Sequence, residues 1–426
     1  MDITLPYGRE KQVRFSVPDA AFTGMLEPGR VEPAADPLQT IRQALENPIG
    51  CGRLEEIVRP GQSVNIICDD ISRPTPVSQI LPVLLEKLYQ AGVRDRDIKI
   101  VMALGSHRYM TETEKRERVG DRVYRQIQVV NSEFRNPDDL VFLGNAPDGV
   151  PIYASRVAMD SDIRIGVGNI VPHPVAGWSG GGKILFPGVT GEQTVARFHM
   201  QGGLADRNLF GVEDCPIRLN MEKWVDTIGL HFIVNTVLTP DGQIYKVVAG
   251  HYVKAQRRGV AYARQALGCP IRELSDICVV SSFPADADFW QSGKGMCSAE
   301  HAVKPGSGTI ILVAPNDEGM GPHAEYPAFF GRDDAPEILE QLARGEPFEG
   351  DPIALSVGTA MAKMRRRVRL VLVTDGLTRA ETEACKIGYY PLQSLQQAVD
   401  DALARYDQPT VTAIRHGGEL FLYRAN

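Results

Sequence analysis

The sequence has no apolar run that approaches the ~20 residues needed to cross a bilayer. Its first residues, MDITLPYGREKQVRF, have no apolar core of signal-peptide length. We therefore expect a cytoplasmic protein with no membrane contact. Positive charge is not in excess either, because 46 Lys and Arg stand against 53 Asp and Glu, for a net charge of -7. Since phosphate binding requires a basic surface, no nucleic-acid partner is expected.

Cysteine and histidine are both sparse. The seven cysteines are scattered without a CxxC pair, so the spacing of zinc and iron–sulfur sites is absent. We expect these thiols to be reduced and mostly buried. Only eight histidines occur. A histidine in an unusual local context is therefore informative, because imidazole either carries protons near neutral pH or binds metals.

The length and composition indicate a globular protein of two domains. A chain of 426 residues is too long for one ordinary core, and 43% hydrophobic with 23% charged residues is a soluble composition. Strands and helices alternate along most of the chain. We predict an α/β fold whose two domains each contain a mostly parallel, Rossmann-like sheet with flanking helices, and whose active site lies in the cleft between them.

The first predicted domain covers residues 1–267 and binds the cofactor. Its strands are predicted at 63–68, 98–104, 126–130 and 162–167, a helix at 77–91, and capping boxes at Thr111/Glu114 and Thr190/Gln193. A hairpin follows over 232–250, with Pro240-Asp241-Gly242 at its turn, and then a helix over 252–266.

The second predicted domain covers residues 272–407 and contributes substrate-binding residues. Its strands are predicted at 276–282, 309–314 and 367–374, and its helices at 336–344 and 392–405. We expect the tail, 410–423, to form a terminal hairpin, so that 408–426 would complete the first domain.

Three polar motifs follow predicted strands. They are DDISRPTP from Asp69, GSHR from Gly105, and NIVPHP from Asn169. In open α/β sheets ligands bind at the carboxyl ends of the strands. We therefore expect the three motifs to share one pocket.

The stretch from Gly168 to His199 concentrates the most unusual chemistry. It contains His173 between two prolines, the glycines Gly180 to Gly182, Lys183 and His199. Consecutive glycines allow close approach of a bulky ligand. The motif indicates a cofactor anchored covalently or through a metal.

Two other interpretations of this loop remain open. Gly177 and Gly182-Lys183 match a phosphate-binding P-loop, but Ile184 stands where a Ser or Thr hydroxyl is required for magnesium. The loop could also be a tight glycine turn with an exposed lysine. The alternative function is thus a nucleotide-binding protein or NTPase that uses Gly180 to Lys183 for phosphate.

Further candidates lie outside this loop. His107 follows Gly-Ser in an exposing context, Arg73 has a planar fork suited to a carboxylate, and Lys294 lies between two glycines in WQSGKG. Asp69 and Asp70 fit helix capping or ion pairing as well as function. We expect His231 to be structural, and the remaining histidines to lie on the surface or in loops: His251, His301, His323 and His416.

Together, DDISRPTP, GSHR, VPHPVAGWSGGGKILFPG with RFH, and WQSGKG resemble the nickel-dependent lactate racemase family. The resemblance implies a nickel-pincer nucleotide, a nickel pyridinium-3,5-bisthiocarboxylic acid mononucleotide, attached covalently to Lys183 with His199 as a nickel ligand. It implies acid/base roles for His107 and His173, and substrate binding by the three residues Arg73, Gln291 and Lys294. We assign Asp70, Gly180, Gly181 and Gly182 to cofactor binding.

The implied activity is racemisation or epimerisation of a 2-hydroxy acid by proton-coupled hydride transfer. Such an enzyme depends on the enzymes that make its cofactor, and its substrate is a small molecule. Lactate or a related 2-hydroxy acid is expected, but these motifs do not fix the residues that contact the substrate tail.

Overall fold

The computed structural model describes residues 1–147 and 149–424. The chain begins with β1 (Asp2–Tyr7), β2 (Lys11–Ser16), β3 (Phe22–Leu26), α1 (Pro37–Glu46), α2 (Leu54–Ile57), β4 (Val64–Asp69), α3 (Val77–Gln90), β5 (Ile98–Ala103), α4 (Glu112–Val119), α5 (Asp121–Gln126), β6 (Gln128–Asn131), β7 (Leu140–Asn145), β8 (Pro151–Ser155), α6 (Arg156–Met159), β9 (Ile163–Asn169), β10 (Pro172–His173) and β11 (Gly177–Trp178).

It continues with α7 (Glu192–Leu204), α8 (Pro216–Ile228), β12 (Phe232–Leu238), β13 (Ile244–Gly250), α9 (Lys254–Leu267), β14 (Gly268–Ile271), β15 (Ile277–Ser281), α10 (Phe289–Glu300), β16 (Thr309–Val313), α11 (Tyr326–Gly331), α12 (Ala335–Ala343), α13 (Pro352–Arg367), β17 (Arg369–Thr374), α14 (Arg379–Glu383), β18 (Gly388–Pro391), α15 (Leu395–Leu403), β19 (Val411–Ile414) and β20 (Phe421–Arg424).

The first sheet has six strands in the order β13-β12-β9-β4-β5-β6. All neighbours are parallel except β12 and β13, which form the predicted antiparallel hairpin. Its central strand β4 is buried from Val64 to Cys68 because hydrophobic clusters cover both faces of the sheet. Continuous apolar runs of this kind are typical of parallel strands, and the predicted α/β fold is confirmed.

The second sheet also has six strands, in the order β18-β17-β16-β15-β19-β3, and all of them are parallel. The two strands at one side of this sheet, β19 and the edge strand β3, come from the two ends of the chain. β3 lies near the N-terminus, and β19 lies in the tail between β15 and β3. The N-terminal hairpin of β1 and β2 packs on the same core.

The predicted terminal hairpin is therefore wrong, whereas the completion of the first domain by 408–426 stays a prediction, since Phe421 of the tail packs in a hydrophobic cluster of the first sheet. Val411 to Ile414 are all buried and need a strand on each side, which the second sheet provides. β20 instead pairs in parallel with β14, at the predicted domain boundary. A short apolar run gives no indication of which sheet it enters. The division into 1–267 and 272–407 stays a proposal.

Helix capping agrees with the sequence at one of the two predicted sites. Thr111 and Glu114 form the expected capping box at α4. At α7 the prediction is wrong, because the helix begins one residue later, with Gly191 as its N-cap. The Thr190 hydroxyl instead donates to the Pro187 carbonyl at 3.0 Å, closing the turn that ends the glycine loop. His199 lies on α7 as expected.

The strand order of the first sheet brings together the three motifs that follow its strands. β4 lies between β5 and β9, so the motifs that follow these strands emerge side by side at their carboxyl ends. The chain leaves β4 toward β5 on one side and returns to β9 on the other. This reversal is the topological switch point at which α/β sheets bind ligands. Helices α10 and α13 of the second half face the same edge.

Candidate active site

One cavity lies between the strand ends of the first sheet and the helices α10 and α13. Its walls include residues predicted for the site, namely Asp70, Arg73, His107, His173, Gly180, Lys183, His199, Gln291 and Lys294. The expectation that the three strand-end motifs share a pocket, in a cleft that the second half helps to form, is confirmed. Gly181 and Gly182 are not among the residues that line it.

Lys183 lies in a single 3₁₀ turn, Gly181–Ile184, which follows the glycine loop. Burial, together with the charges of Arg73 and Arg218, lowers the pKa of Lys183 to about 7. Within residues 1–147 and 149–424 its amine has no hydrogen-bond or ion-pair partner. A lysine of this kind is partly unprotonated at neutral pH, which makes its nitrogen a nucleophile.

The glycine loop is shaped by close packing against the rest of the protein. A Cβ on Gly181 would lie 2.8 Å from the Tyr252 carbonyl oxygen, and one on Gly182 would lie 2.9 Å from Val225 Cγ2. Gly180 and Gly181 also have positive φ, of 73° and 62°. These contacts give Gly181 and Gly182 a packing role, and their assignment to cofactor binding stays a prediction.

Arg218 on α8 holds the chain that leads into this loop. Its buried guanidinium donates to the Ala176 carbonyl at 3.4 Å, to the Gly180 carbonyl at 3.2 Å, and to the Trp178 carbonyl. From the other side, the Gly181 amide donates to Asn235 Oδ1 at 2.8 Å. The loop conformation is thus fixed by protein contacts before any ligand binds.

His199 is oriented by its own helix. Its Nδ1 lies 2.9 Å from the Val195 carbonyl oxygen, which can only accept, so Nδ1 carries the hydrogen and Nε2 has the free lone pair. Burial lowers the pKa of His199 to about 3. A neutral imidazole with one nitrogen fixed by a carbonyl is the form that binds metals. Among the described residues, no group of three His, Cys, Asp or Glu side chains could hold a metal ion.

His107 and Asp70 form a pair at the ends of β5 and β4. Asp70 Oδ2 lies 2.5 Å from His107 Nδ1, while Oδ1 accepts from the Ser72 amide at 3.1 Å. Burial opposes ionisation of Asp70, but the charge and hydrogen bond of His107 and the charge of Arg73 hold its pKa below the ordinary value. Because the carboxylate only accepts, the neutral form of His107 carries its hydrogen on Nδ1 and leaves Nε2 as the proton acceptor.

His173 has the opposite arrangement. Its Nδ1 accepts hydrogen bonds from the backbone amides of Val175 at 3.1 Å and Ala176 at 3.2 Å. The neutral ring therefore carries its hydrogen on Nε2. Burial, with the charges of Lys183 and Arg73, lowers the pKa of His173 well below its ordinary value.

Gln291 joins the two halves of the site from the first turn of α10. Its Oε1 accepts from Lys294 Nζ at 2.7 Å and from Arg73 at 3.4 Å, and its Nε2 lies 3.4 Å from His107 Nε2. Burial and the charge of Arg73 lower the pKa of Lys294 well below its ordinary value. The cluster places a guanidinium, an amine and an amide around a space suited to a carboxylate.

Sequence reasoning missed several residues of this region. His323 lies in a loop, as one of its two predicted settings, but it is 3% exposed and contacts Ser106 of the cavity wall. Asn235 of β12 also lines the cavity and was missed. Asn169 and Trp290 line it as well, and both belong to motifs that the sequence had already indicated, NIVPHP and WQSGKG. His323 carries no comparable signal, because its partners are distant in sequence.

The P-loop interpretation is not supported by this geometry. Position 184 is a buried isoleucine, and the loop leads into one 3₁₀ turn where a P-loop leads into a helix. One of the loop amides, that of Gly181, already donates to Asn235.

No helix in the described part of the chain has the length and apolar character to span a membrane.

Comparisons with known proteins agree with the site. A family model described as the lactate racemase N-terminal domain matches residues 7–209, and one described as the C-terminal domain matches residues 272–421. The chain is 30% identical to lactate racemase of Thermoanaerobacterium thermosaccharolyticum over 353 residues, which is 81% of this chain and 82% of that protein. It is also 30% identical to lactate racemase of Lactiplantibacillus plantarum over 345 residues, 80% of each chain.

Solved structures agree with this result. The lactate racemase apoprotein from T. thermosaccharolyticum superposes with a TM-score of 0.86 at 26% identity, covering 99% of this chain and 100% of that one. A Thermotoga maritima protein shares the fold, with a TM-score of 0.71 at 20% identity over 91% of this chain and 98% of that one. Racemases are isomerases, so the expected enzyme class is confirmed. The chain belongs to the lactate racemase family.

Proposed function

We propose that this protein racemises or epimerises a 2-hydroxy acid, lactate or a related acid, with a nickel-pincer nucleotide attached to Lys183. The observation that carries the proposal is the convergence, in one cavity, of a reactive amine at Lys183, a free Nε2 at His199 and the Asp70–His107 pair. An NTPase would use the loop lysine as a cation that binds phosphate, and it would need neither His199 nor the Asp70–His107 pair.

The residues present fit such a cofactor. Lys183 offers an unpartnered amine to an acyl-type carbon, and His199 offers one imidazole nitrogen to nickel, whose preference for nitrogen and sulfur ligands suits this site. Asn169 is 2% exposed, and neither polar atom of its side chain has a partner in the described chain. A buried amide of this kind is costly unless a ligand or water satisfies it.

When bound, the cofactor supplies an acceptor for the hydride that leaves the substrate's α-carbon. The protein's own side chains bind and orient the substrate. Arg73 and Lys294 would hold its carboxylate, with Gln291 fixing the positions of both cations. Holding the carboxylate gives the reacting carbon a fixed pivot.

His107 is the stronger candidate for the proton acceptor. In the neutral ring its Nε2 has a lone pair, and this atom lies toward the substrate-binding cluster, 3.4 Å from Gln291 Nε2. Asp70 fixes this tautomer and stabilises the imidazolium that forms when the substrate hydroxyl gives up its proton. The proton therefore resides on His107 Nε2 until the product hydroxyl re-forms.

His173 has a different starting state. With the hydrogen on Nε2, it can donate a hydrogen bond to a substrate oxygen but cannot accept a proton at that atom. To act as the second base it must exchange tautomers, and Nδ1 must then give up the amides of Val175 and Ala176. The two predicted bases are therefore not equivalent in this conformation.

The test uses protein made in cells together with the enzymes that synthesise the cofactor. Expression in the cytoplasm is appropriate, because we propose the cytoplasm as the location of this protein. We expect a mass adduct on the Lys183 peptide, co-purified nickel, and interconversion of enantiomers in a chiral assay over a panel of 2-hydroxy acids. Lys183→Arg should lose the adduct, whereas Lys223→Arg, on the exposed side of α8, should keep it.

The absence of both adduct and nickel would refute the cofactor assignment. Loss of turnover in His107→Ala and His173→Ala with the adduct retained would support the acid/base roles. Normal turnover in both variants would remove them from the mechanism.

A further inference from the structure

His323 links the second half of the chain to the turn that carries His107. It lies just before α11, with its Nδ1 2.6 Å from Asp351 Oδ2 and its Nε2 3.3 Å from Ser106 Oγ. Ser106 precedes His107 and lines the cavity. The hydrogen-bonded chain Asp351–His323–Ser106 therefore crosses the cleft between the two halves.

The position of His323 is fixed by two neighbours, Asp351 and Trp290. Asp351 caps α13, because its Oδ1 accepts from the amides of Ile353 at 2.8 Å and Ala354 at 3.1 Å. Its other oxygen, Oδ2, is the one that contacts the imidazole. The indole of Trp290 packs on the ring with centroids 4.6 Å apart. The imidazole is thus aimed at Ser106 by a helix cap and an aromatic wall.

The donors and acceptors define the direction of the chain. A carboxylate only accepts, so His323 donates from Nδ1 and has a lone pair on Nε2. Ser106 Oγ–H then donates to Nε2. This bond ties the serine to the second half of the molecule and leaves its oxygen lone pairs on the cavity side.

The turn that carries Ser106 also carries His107. The turn closes through the His107 amide, which donates to the Leu104 carbonyl at 2.9 Å, and Gly105 within it has a φ of 59°. Two contacts from the second half reach this turn, His323 at Ser106 and Gln291 at His107. Together they determine where His107 stands relative to the substrate-binding cluster.

We propose that His323 is a positioning residue, which acts through Ser106 to hold the His107 turn in place where the two halves of the molecule meet at the site. For its catalytic consequence this proposal rests on the proposed function. Its structural consequence does not, because the hydrogen-bonded chain Asp351–His323–Ser106, here called the relay, can be observed without substrate.

Two substitutions separate the ends of the relay. In His323→Asn the amide stands near the position of Nδ1, so the contact with Asp351 is kept and that with Ser106 is lost. In His323→Gln the amide reaches the position of Nε2, so the contact with Ser106 is kept. Ser106→Ala removes the same bond from the other side.

Hydrogen exchange on the full-length protein is the first measurement. We expect the His107 amide to exchange roughly tenfold faster in His323→Asn and Ser106→Ala, the change that loss of one hydrogen bond produces. His323→Gln should exchange at the rate of the wild type. His301→Asn, a control at the end of α10 away from the cleft, should leave this amide unchanged. Unchanged exchange in both His323→Asn and Ser106→Ala would overturn the relay.

Turnover by the loaded enzyme is the second measurement. We expect kcat to fall roughly tenfold in His323→Asn and in Ser106→Ala, with the double variant no worse than either, because both remove one bond. KM, nickel content and the Lys183 adduct should stay as in the wild type. His323 would have a purely structural role if the losses of kcat in the two single variants multiplied in the double variant. A loss of the Lys183 adduct together with thermal stability would lead to the same conclusion. If the wild type racemises nothing in the panel, the proposed function fails, while the exchange measurement still decides the relay.

Discussion

Acylation of Lys183 in protein made without the cofactor should follow the titration of an unusually acidic amine. With its pKa lowered to about 7, about half of the Lys183 side chains are unprotonated at pH 7. An ordinary lysine with a pKa of about 10.4 has roughly 1 in 2500 in that form. If labelling tracks the free amine, Lys183 should react about 10³ times faster than an ordinary lysine at this pH.

The assay is brief exposure to a small amine-selective acylating reagent between pH 5.5 and 9, followed by peptide mass spectrometry. The Lys183 peptide should label with a midpoint near pH 7, and exposed Lys11 in the same digest supplies the reference curve. Above the midpoint the advantage of Lys183 should shrink, since its own free fraction is then saturated while that of the reference still rises.

Arg73→Gln tests the physical cause. After burial, the charge of Arg73 is the largest contribution that lowers the pKa of Lys183. Its removal should raise the labelling midpoint by about one pH unit. Arg135→Gln, on the exposed surface, is the control and should leave the midpoint unchanged. If Lys183 labels in parallel with Lys11 across the whole range, the cavity does not activate this amine and the reasoning is refuted.

Three further predictions follow from the site and the loop. Asp70→Asn should reduce kcat by about 10²–10⁴-fold, because His107 loses the carboxylate that fixes its tautomer. The Lys183 adduct should be retained. A variant with the kcat of the wild type would contradict this role of Asp70. In the folded protein the pKa of His199 is lowered to about 3, whereas in the unfolded chain it is about 6.5. Between these two pH values the unfolded chain binds the extra proton. The free energy of unfolding should therefore fall as the pH drops from about 6.5 toward 3. Thermal melting of the cofactor-free protein should show this slope, and His199→Gln should flatten it; equal slopes would exclude His199 as its source. Gly177→Ala should lower the free energy of unfolding, measured by urea denaturation, by about 3 kcal/mol. The new Cβ would lie 1.8 Å from the Val212 carbonyl oxygen, and the residue has a φ of 71°. A change under about 0.5 kcal/mol would show that the loop relaxes freely.

The apolar patterns predicted the long buried strands of both sheets and several of the helices. Strand β4, helix α3 and the β12–β13 hairpin lie where periodicity and turn residues indicated, because buried parallel strands and amphipathic helices leave strong signals over six to fourteen residues. The same patterns failed for the tail. Val411 to Ile414 are as apolar as any strand of the first domain, and only the parallel pairing with β15 reveals that they belong to the second sheet.

The candidate site divides in the same way. Lys183, His173 and His199 lie within one short stretch and were recognisable from local sequence. Lys294 was also noticed locally, between two glycines, whereas Gln291 entered only through resemblance to a known family. His323 was misjudged, because its role depends on Asp351 and Ser106, which lie 28 residues after and 217 residues before it.

The sequence alone determined the elements, the strand-end motifs and the chemical types of the site residues, because these depend on neighbours within a few turns of the chain. The tertiary structure decided which ring nitrogen of each histidine is free, since Asp70 contacts His107 at Nδ1 whereas backbone amides contact Nδ1 of His173. It also decided the acidity of Lys183, whose pKa is lowered by burial and by charges brought close only by folding. Tautomer and acidity depend on distance in space, and a linear sequence does not record that distance.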